Sequence, residues 1–252
     1  MIEILILSLV QGITEFLPIS SSSHLIIFAN YFNFENQSLS IDVSLHIGSF
    51  LAVITYFHKD IVSLINNKDL FIKIFISSVP VMSIGYILVQ FDLIEKIRNI
   101  EFIGWTTVVF GVLLYISDKY KLEKNIKNNF DYRSALFIGL FQVLSLMPGV
   151  SRSGITITAA RLLNYKRYDA LKISFLLSIP TLAAVSIFGL KNLASSDNLN
   201  LSILNIISIF LSFLFSFFTI KFFFKYVQKF NMNIFVIYRI ILGLLLIYFS
   251  NL

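Results

Sequence analysis

The sequence predicts an all-α integral membrane protein of six transmembrane helices plus two re-entrant helix hairpins, arranged as an inverted-topology repeat. Three observations predict it: a shortage of charge, six long apolar runs, and two apolar stretches broken at their centres by similar polar residues. Residues 1–252 then form a single membrane domain, with repeat halves of about 1–118 and 119–252.

Charged residues make up only 13% of the 252 positions and hydrophobic ones 57%, whereas a soluble domain carries about a quarter charged residues. The mean hydropathy is +0.82, and 27 phenylalanines suit helices that face acyl chains. No polar stretch is long enough to fold as a separate soluble unit. The absence of cysteine excludes disulfides, thiolate metal sites and a cysteine nucleophile. The first residues, MIEILILSLVQGITEF, lack a basic n-region and a small-residue cleavage site, so a removable signal peptide is not expected.

Crossing about 30 Å of hydrocarbon takes roughly 20 apolar residues. Runs of that kind fall near 41–58, 70–91, 101–118, 170–190, 202–225 and 232–250. Two further stretches, 1–28 and 134–163, are interrupted. The first breaks at Pro18 and Ser20-Ser21-Ser22-Ser23, the second at Pro148-Gly149 and Ser151-Arg152-Ser153. Proline ends a helix and disfavours helix just before it, so each stretch reads as helix, polar loop, helix. Irregular backbone at membrane depth survives only when buried in protein or lining a wet cavity, which points to re-entrant hairpins rather than spans.

Charge placement tests that choice. With six spans and two hairpins, loops 59–73, 119–133, 161–172 and 221–230 share one face. They hold three, five, four and three Lys/Arg, fifteen of the twenty in the chain. The opposite face holds Lys96, Arg98 and Lys191, while Arg152 and Arg239 lie within apolar segments. Basic loops mark the cytoplasmic side, so both termini are expected outside, in a multi-pass protein of the bacterial inner (plasma) membrane. The net charge of +6 is thereby a topology signal, and a nucleic-acid partner is not expected.

The broken stretches match each other. Gln11 and Gln142, Ser20 and Ser151, and Ser22 and Ser153 are each 131 residues apart. Ser78-Val79-Pro80 also recurs as Ser178-Ile179-Pro180 in the middle of an apolar run. The hairpins enter from opposite sides, and inverted repeats place binding sites near the midplane where broken helices meet.

The polar residues in these segments carry the chemistry. Gln11 and Glu15 are four apart and share a helix face; a carboxylate so deep in an apolar segment is costly and marks function by default. Pairing with a buried arginine is the structural alternative. Their oxygens suit a divalent cation, Mg²⁺ or Ca²⁺. Ser20, Ser21, Ser22 and Ser23 at a helix start can cap it and attract an anion, and His24 beside them can transfer a proton. His58 reads as an ordinary interfacial residue, and His46 stays undecided. In the second hairpin, Gly149 permits close backbone approach. Ser151, Ser153 and Thr156 supply hydroxyl donors there, and Arg152 offers a bidentate fork for phosphate oxygens. Arg239 either stabilises charge or pairs with a buried acid. An oriented nucleophile with positive charge near it is what phosphoryl transfer needs.

The run from Gln11 to His24, QGITEFLPISSSSH, resembles the first signature of the undecaprenyl-diphosphate phosphatase (bacitracin-resistance phosphatase) family, and Pro148 to Thr156, PGVSRSGIT, resembles the second. Ser174 to Pro180 and Tyr238-Arg239 with Gly243 add to the likeness, which covers nearly the whole chain. The resemblance implies hydrolysis of undecaprenyl diphosphate to undecaprenyl phosphate and phosphate, recycling the lipid carrier for peptidoglycan synthesis and conferring bacitracin resistance. It implies Gln11 and Glu15 as a divalent-metal pair, Ser21 as nucleophile, His24 as acid/base and Arg152 as the diphosphate clamp. Gln11, Ser20, Ser22, Ser151, Ser153 and Thr156 would bind substrate, and a homodimer is compatible with the pattern. The family often has Thr-Gly before the histidine where this chain has Ser22-Ser23, so the choice among four serines, or an activated water, stays open. A transporter of an anionic lipid is the main rival, because inverted hairpins are also transporter architecture.

Overall fold

The computed structural model describes residues 1–32, 34, 38–91, 99–195 and 202–250. Lys96 and Arg98, expected on the sparsely charged face, lie outside the described residues. Twelve α-helices occur among the described residues. The first stretch gives α1 (Ile2–Thr14) and α2 (Ser21–Phe32). Then follow α3 (Leu39–Tyr56), a short α4 (His58–Asn66), α5 (Lys68–Gln90) and α6 (Ile100–Asp118). The second half has α7 (Ile126–Asn129), α8 (Tyr132–Val143), α9 (Arg152–Leu162), α10 (Arg167–Ser195), α11 (Ile203–Lys229) and α12 (Asn233–Ser250).

Six of these, α3, α5, α6, α10, α11 and α12, are long and apolar enough to cross a membrane, matching the six expected runs. Polar side chains set where they begin. Ser38 accepts a hydrogen bond from the Ile41 amide, Asn67 from Leu70 and Asn99 from Phe102, while Ser202 forms a capping box with Asn205. The remaining apolar helices, α1 and α8, stop short at the predicted breaks.

Packing follows a pattern of exchange. Helix α1 lies against α11 as α8 lies against α5, while α3 pairs with α10 and α6 with α12. Both exchanged contacts need a missing side chain: a Cβ on Gly12 would lie 2.5 Å from Phe215 Cβ, and one on Gly139 2.5 Å from the Ser77 carbonyl oxygen. Between α3 and α11 the seam is polar and small. Ser49 meets Ser212 and Ser216 at 3.2 and 3.0 Å, and Asn205 donates to Ser40 and Ser44. Such residues join helices in lipid, where apolar burial gives little drive. The Ser-x-Pro recurrence does not share this correspondence, because it lies on α5 and α10, 100 residues apart rather than 131.

The four basic loops do converge. Asp118 at the end of α6 accepts from Arg167 Nε at 2.7 Å and from the Met232 amide at 3.1 Å, and pairs with Arg161 Nε at 3.4 Å. Arg161, fully buried, also donates to the carbonyls of Asp118, Tyr120, Lys121 and Tyr165. Lys172 pairs with Asp60 at 2.6 Å. These bonds fix the segments after α3, α6, α9 and α11 on one face.

Candidate functional site

Each broken stretch turns sharply at a serine. Ser20 and Ser151 have φ of +76° and +70°, and each immediately precedes a helix, α2 and α9. Ser151 Oγ caps its helix by accepting from the Gly154 amide at 3.2 Å, while Ser20 Oγ bonds Ser23 Oγ at 2.9 Å. Strain thus sits at Ser20. Ser23 is helical and buried, so it takes no part in the left-handed turn. Gly149 also has a positive φ, +93°, and a Cβ there would lie 2.0 Å from Thr106 Oγ1.

The loops meet and are clasped together by Arg239 of α12. Its side chain is fully buried. It donates to the carbonyls of Pro18 at 3.1 Å, Val150 at 3.0 Å and Gly149 at 2.8 Å, and to Thr107 of α6 at 3.2 Å. It pairs with no acid among the described residues, and its partners are backbone oxygens of the two loops and of α6. Ser153 adds a second clasp by donating to the Leu17 carbonyl at 2.8 Å.

Glu15, just past α1, is the centre of the polar cluster. Its Oε2 accepts from Ser21 Oγ at 2.7 Å and from Gln11 Nε2 at 3.1 Å, and its Oε1 accepts from Arg152 Nη2 at 2.9 Å. Arg152 Nη1 and Gln11 Oε1 are buried without a partner. A cavity of about 260 Å³ opens here, walled by Glu15, Ser20, Ser21, Ser22, Ser151 and Arg152 from the two loops. The other wall includes His46 of α3, Thr181 of α10 and Ser145.

The remaining predicted residues stand behind this wall. Gln11 is fully buried and braces Glu15. Thr156 donates to Ser174 Oγ at 2.7 Å, joining α9 to α10, so it and Ser153 hold protein together rather than line the cavity. His24 has both ring nitrogens engaged, Nδ1 with the Ser20 carbonyl at 2.6 Å and Nε2 with the Tyr238 hydroxyl at 2.5 Å. His58 is exposed and bonds the Thr55 carbonyl. His46, undecided from sequence, lies 3.1 Å through Nδ1 from Gln11 Nε2. A histidine inside an apolar run was its one sequence signal; its neighbours come from packing of α3 on α1.

Glu15 and Gln11 offer one carboxylate and one amide oxygen. Among the described residues no group of three His, Cys, Asp or Glu could hold a metal ion unaided. The unpartnered Gln11 Oε1 beside Glu15 nevertheless fits a magnesium-like cation that takes most of its other ligands from water and substrate phosphate.

The chain matches the family model of the bacitracin resistance protein BacA over residues 4–245. It is 52% identical over 246 residues to an undecaprenyl-diphosphatase of Pelagibacter ubique (strain HTCC1062), covering 97% of this chain and 96% of that one. An undecaprenyl-diphosphatase of Saccharophagus degradans (strain 2-40 / ATCC 43961 / DSM 17024) is 43% identical, with 94% and 93% covered. One of Jannaschia sp. (strain CCS1) is 37% identical, with 96% of each chain covered.

Proposed function

Since the chain belongs to the BacA family of bacitracin resistance proteins, we propose that it hydrolyses undecaprenyl diphosphate to undecaprenyl phosphate and inorganic phosphate. That reaction recycles the lipid carrier for peptidoglycan synthesis and confers bacitracin resistance. The observation that carries the assignment is the Ser21–Glu15–Arg152 chain on the wall of one cavity, with bonds of 2.7 and 2.9 Å.

The Glu15 carboxylate is placed to take the Ser21 proton as Ser21 Oγ attacks the terminal phosphorus. The Oγ–P bond forms, the bond from phosphorus to the bridging oxygen breaks, and undecaprenyl phosphate leaves. Water then attacks the phosphoserine, and Glu15 returns its proton to the departing Oγ. Arg152, whose Nη1 has no protein partner, neutralises the phosphate oxygens. A water held by Glu15 in place of Ser21 would give the same products in one displacement. His24 stands outside the cavity wall with Nδ1–H fixed on the Ser20 carbonyl, and it would act as acid/base only once the Tyr238 hydroxyl turned away from Nε2. A divalent cation, Mg²⁺ or Ca²⁺, on Glu15 and Gln11 Oε1 would supply further positive charge to the diphosphate.

Both broken stretches are re-entrant in this proposal. Helices α1 and α8 have 13 and 12 residues, a rise of about 20 Å against a core of about 30 Å. The exchanged packing of α1 on α11 and α8 on α5 supports the inverted repeat. The clustered basic loops face the cytoplasm of the inner membrane, both termini lie outside, and the lipid head group enters from the bilayer.

Purified protein releasing phosphate from undecaprenyl diphosphate, with loss in Glu15→Ala and Arg152→Ala, tests the assignment. Release surviving both substitutions would overturn it. The chain has no cysteine, so a single Ser22→Cys probed with impermeant reagent from each side reports which face the cavity opens to.

A further inference from the structure

We propose that His46 is a substrate-binding residue of this cavity, donating an Nε2–H hydrogen bond to a phosphate oxygen of the bound diphosphate. It rests on the phosphatase reaction proposed above and adds a third donor, beside Arg152 and the serines, from a different helix.

The proton inventory of Gln11 assigns the tautomer. A carboxylate only accepts hydrogen bonds, so the Gln11 atom 3.1 Å from Glu15 Oε2 is the amide nitrogen. That same nitrogen lies 3.1 Å from His46 Nδ1. With one amide hydrogen on Glu15, the other points to Nδ1, which must accept it. The ring proton therefore resides on Nε2.

The place of His46 on the cavity wall offers this N–H to an anion. His46 is partly exposed and lines the cavity together with Glu15, Ser21 and Arg152. Nε2 has no hydrogen-bond partner among the described residues, whereas His24 has both nitrogens occupied and is absent from the cavity wall. The cavity thus presents one imidazole N–H, and it is that of His46. The same contact has a second effect. Because Nδ1 and Glu15 share the Gln11 amide nitrogen, the amide cannot rotate, and Gln11 Oε1 is held in its unpartnered position.

Substitution and labelling test this separately. His46→Leu removes both bonds, and KM for undecaprenyl diphosphate is expected to rise roughly tenfold or more in protein that retains the wild-type elution profile. His46→Gln restores an acceptor for Gln11 and a donor for phosphate, and is expected to bring KM back to within about threefold of wild type. An unchanged KM in His46→Leu, or a glutamine variant as impaired as leucine, would overturn the proposal. Wild-type protein labelled with ¹⁵N-histidine has three histidines to resolve. Expected are a bare Nδ1 and protonated Nε2 at His46, and an Nε2 resonance that moves on adding inorganic pyrophosphate while His58 stays still. A proton on Nδ1, or silence toward pyrophosphate, overturns the proposal even if the enzyme is active. Pyrophosphate binding at His46 in a protein that releases no phosphate from the lipid would instead sustain this anion site and remove the phosphatase assignment.

Discussion

Ser20 and Ser151, 131 residues apart, occupy the same left-handed backbone region, with φ of +76° and +70°. Few non-glycine residues sit there, and each such position costs about 1–3 kcal/mol. Both residues line the cavity and start the helix of a broken stretch. The strain aims two helix starts at one space. Glycine at either position is expected to preserve the fold, whereas Ser151→Val adds β-branching where L-residues are disfavoured. Thermal unfolding in detergent should show the valine variant losing about 1–3 kcal/mol and the glycine variant much less.

Glu15 and Arg152 are a buried pair, so single and double substitutions separate stability from activity. Arg152→Met strands the carboxylate and is expected to cost about 3–5 kcal/mol. Glu15→Gln with Arg152→Met removes both charges, and melting should show most of that loss recovered. Phosphate release should stay reduced by roughly a hundredfold or more in both. Recovery of turnover in the double variant would remove the pair from the mechanism.

Gly149→Ala places a methyl group against Thr106 Oγ1, which itself donates to the Pro148 carbonyl at 2.6 Å. The second loop must shift, and with it Arg152. Turnover should drop at least tenfold, by analogy with the large cost of small misplacements in a site. Adding Thr106→Ala relieves only the clash and not the φ of +93°, so partial restoration is the expected kinetic result.

Asp118 neutralises Arg161 and Arg167 and is nearly fully buried. Asp118→Ala should lower stability by about 3–5 kcal/mol, read as a lower melting temperature. The residue is absent from the cavity wall, so KM measured well below that temperature should match wild type.

The six spans were legible in the sequence because lipid tolerates few alternatives to a long apolar helix. The breaks were legible because Pro18 and Pro148 announce them. Helix α4 was not foreseen, since a nine-residue helix in a charged loop has no membrane signature. Glu15, Ser21 and Arg152, which the structure brings together, stand out in the sequence because charged and hydroxyl residues in apolar stretches are conspicuous. Arg239 was conspicuous too, yet its work was hidden, since backbone carbonyls leave no trace in residue identity. Ser153 and Thr156 read from sequence as anion donors, and in the structure they bond the Leu17 carbonyl and Ser174, because a hydroxyl near a loop serves protein partners as readily as an anion. His46 needed the third dimension, because Gln11 is 35 residues away.

The Arg239 clasp has a consequence for how the protein can move. A carrier alternates its access by letting one half rock against the other, which requires a seam that parts. Here Pro18 lies in the first broken stretch, Gly149 and Val150 in the second, and one guanidinium donates to all three. Rocking at this seam would leave buried carbonyls and a buried cation without partners at the same instant. A seam clasped in this way acts as a fixed centre. A fixed centre suits a catalyst that meets its lipid in place, and it is a poor gate for a pump.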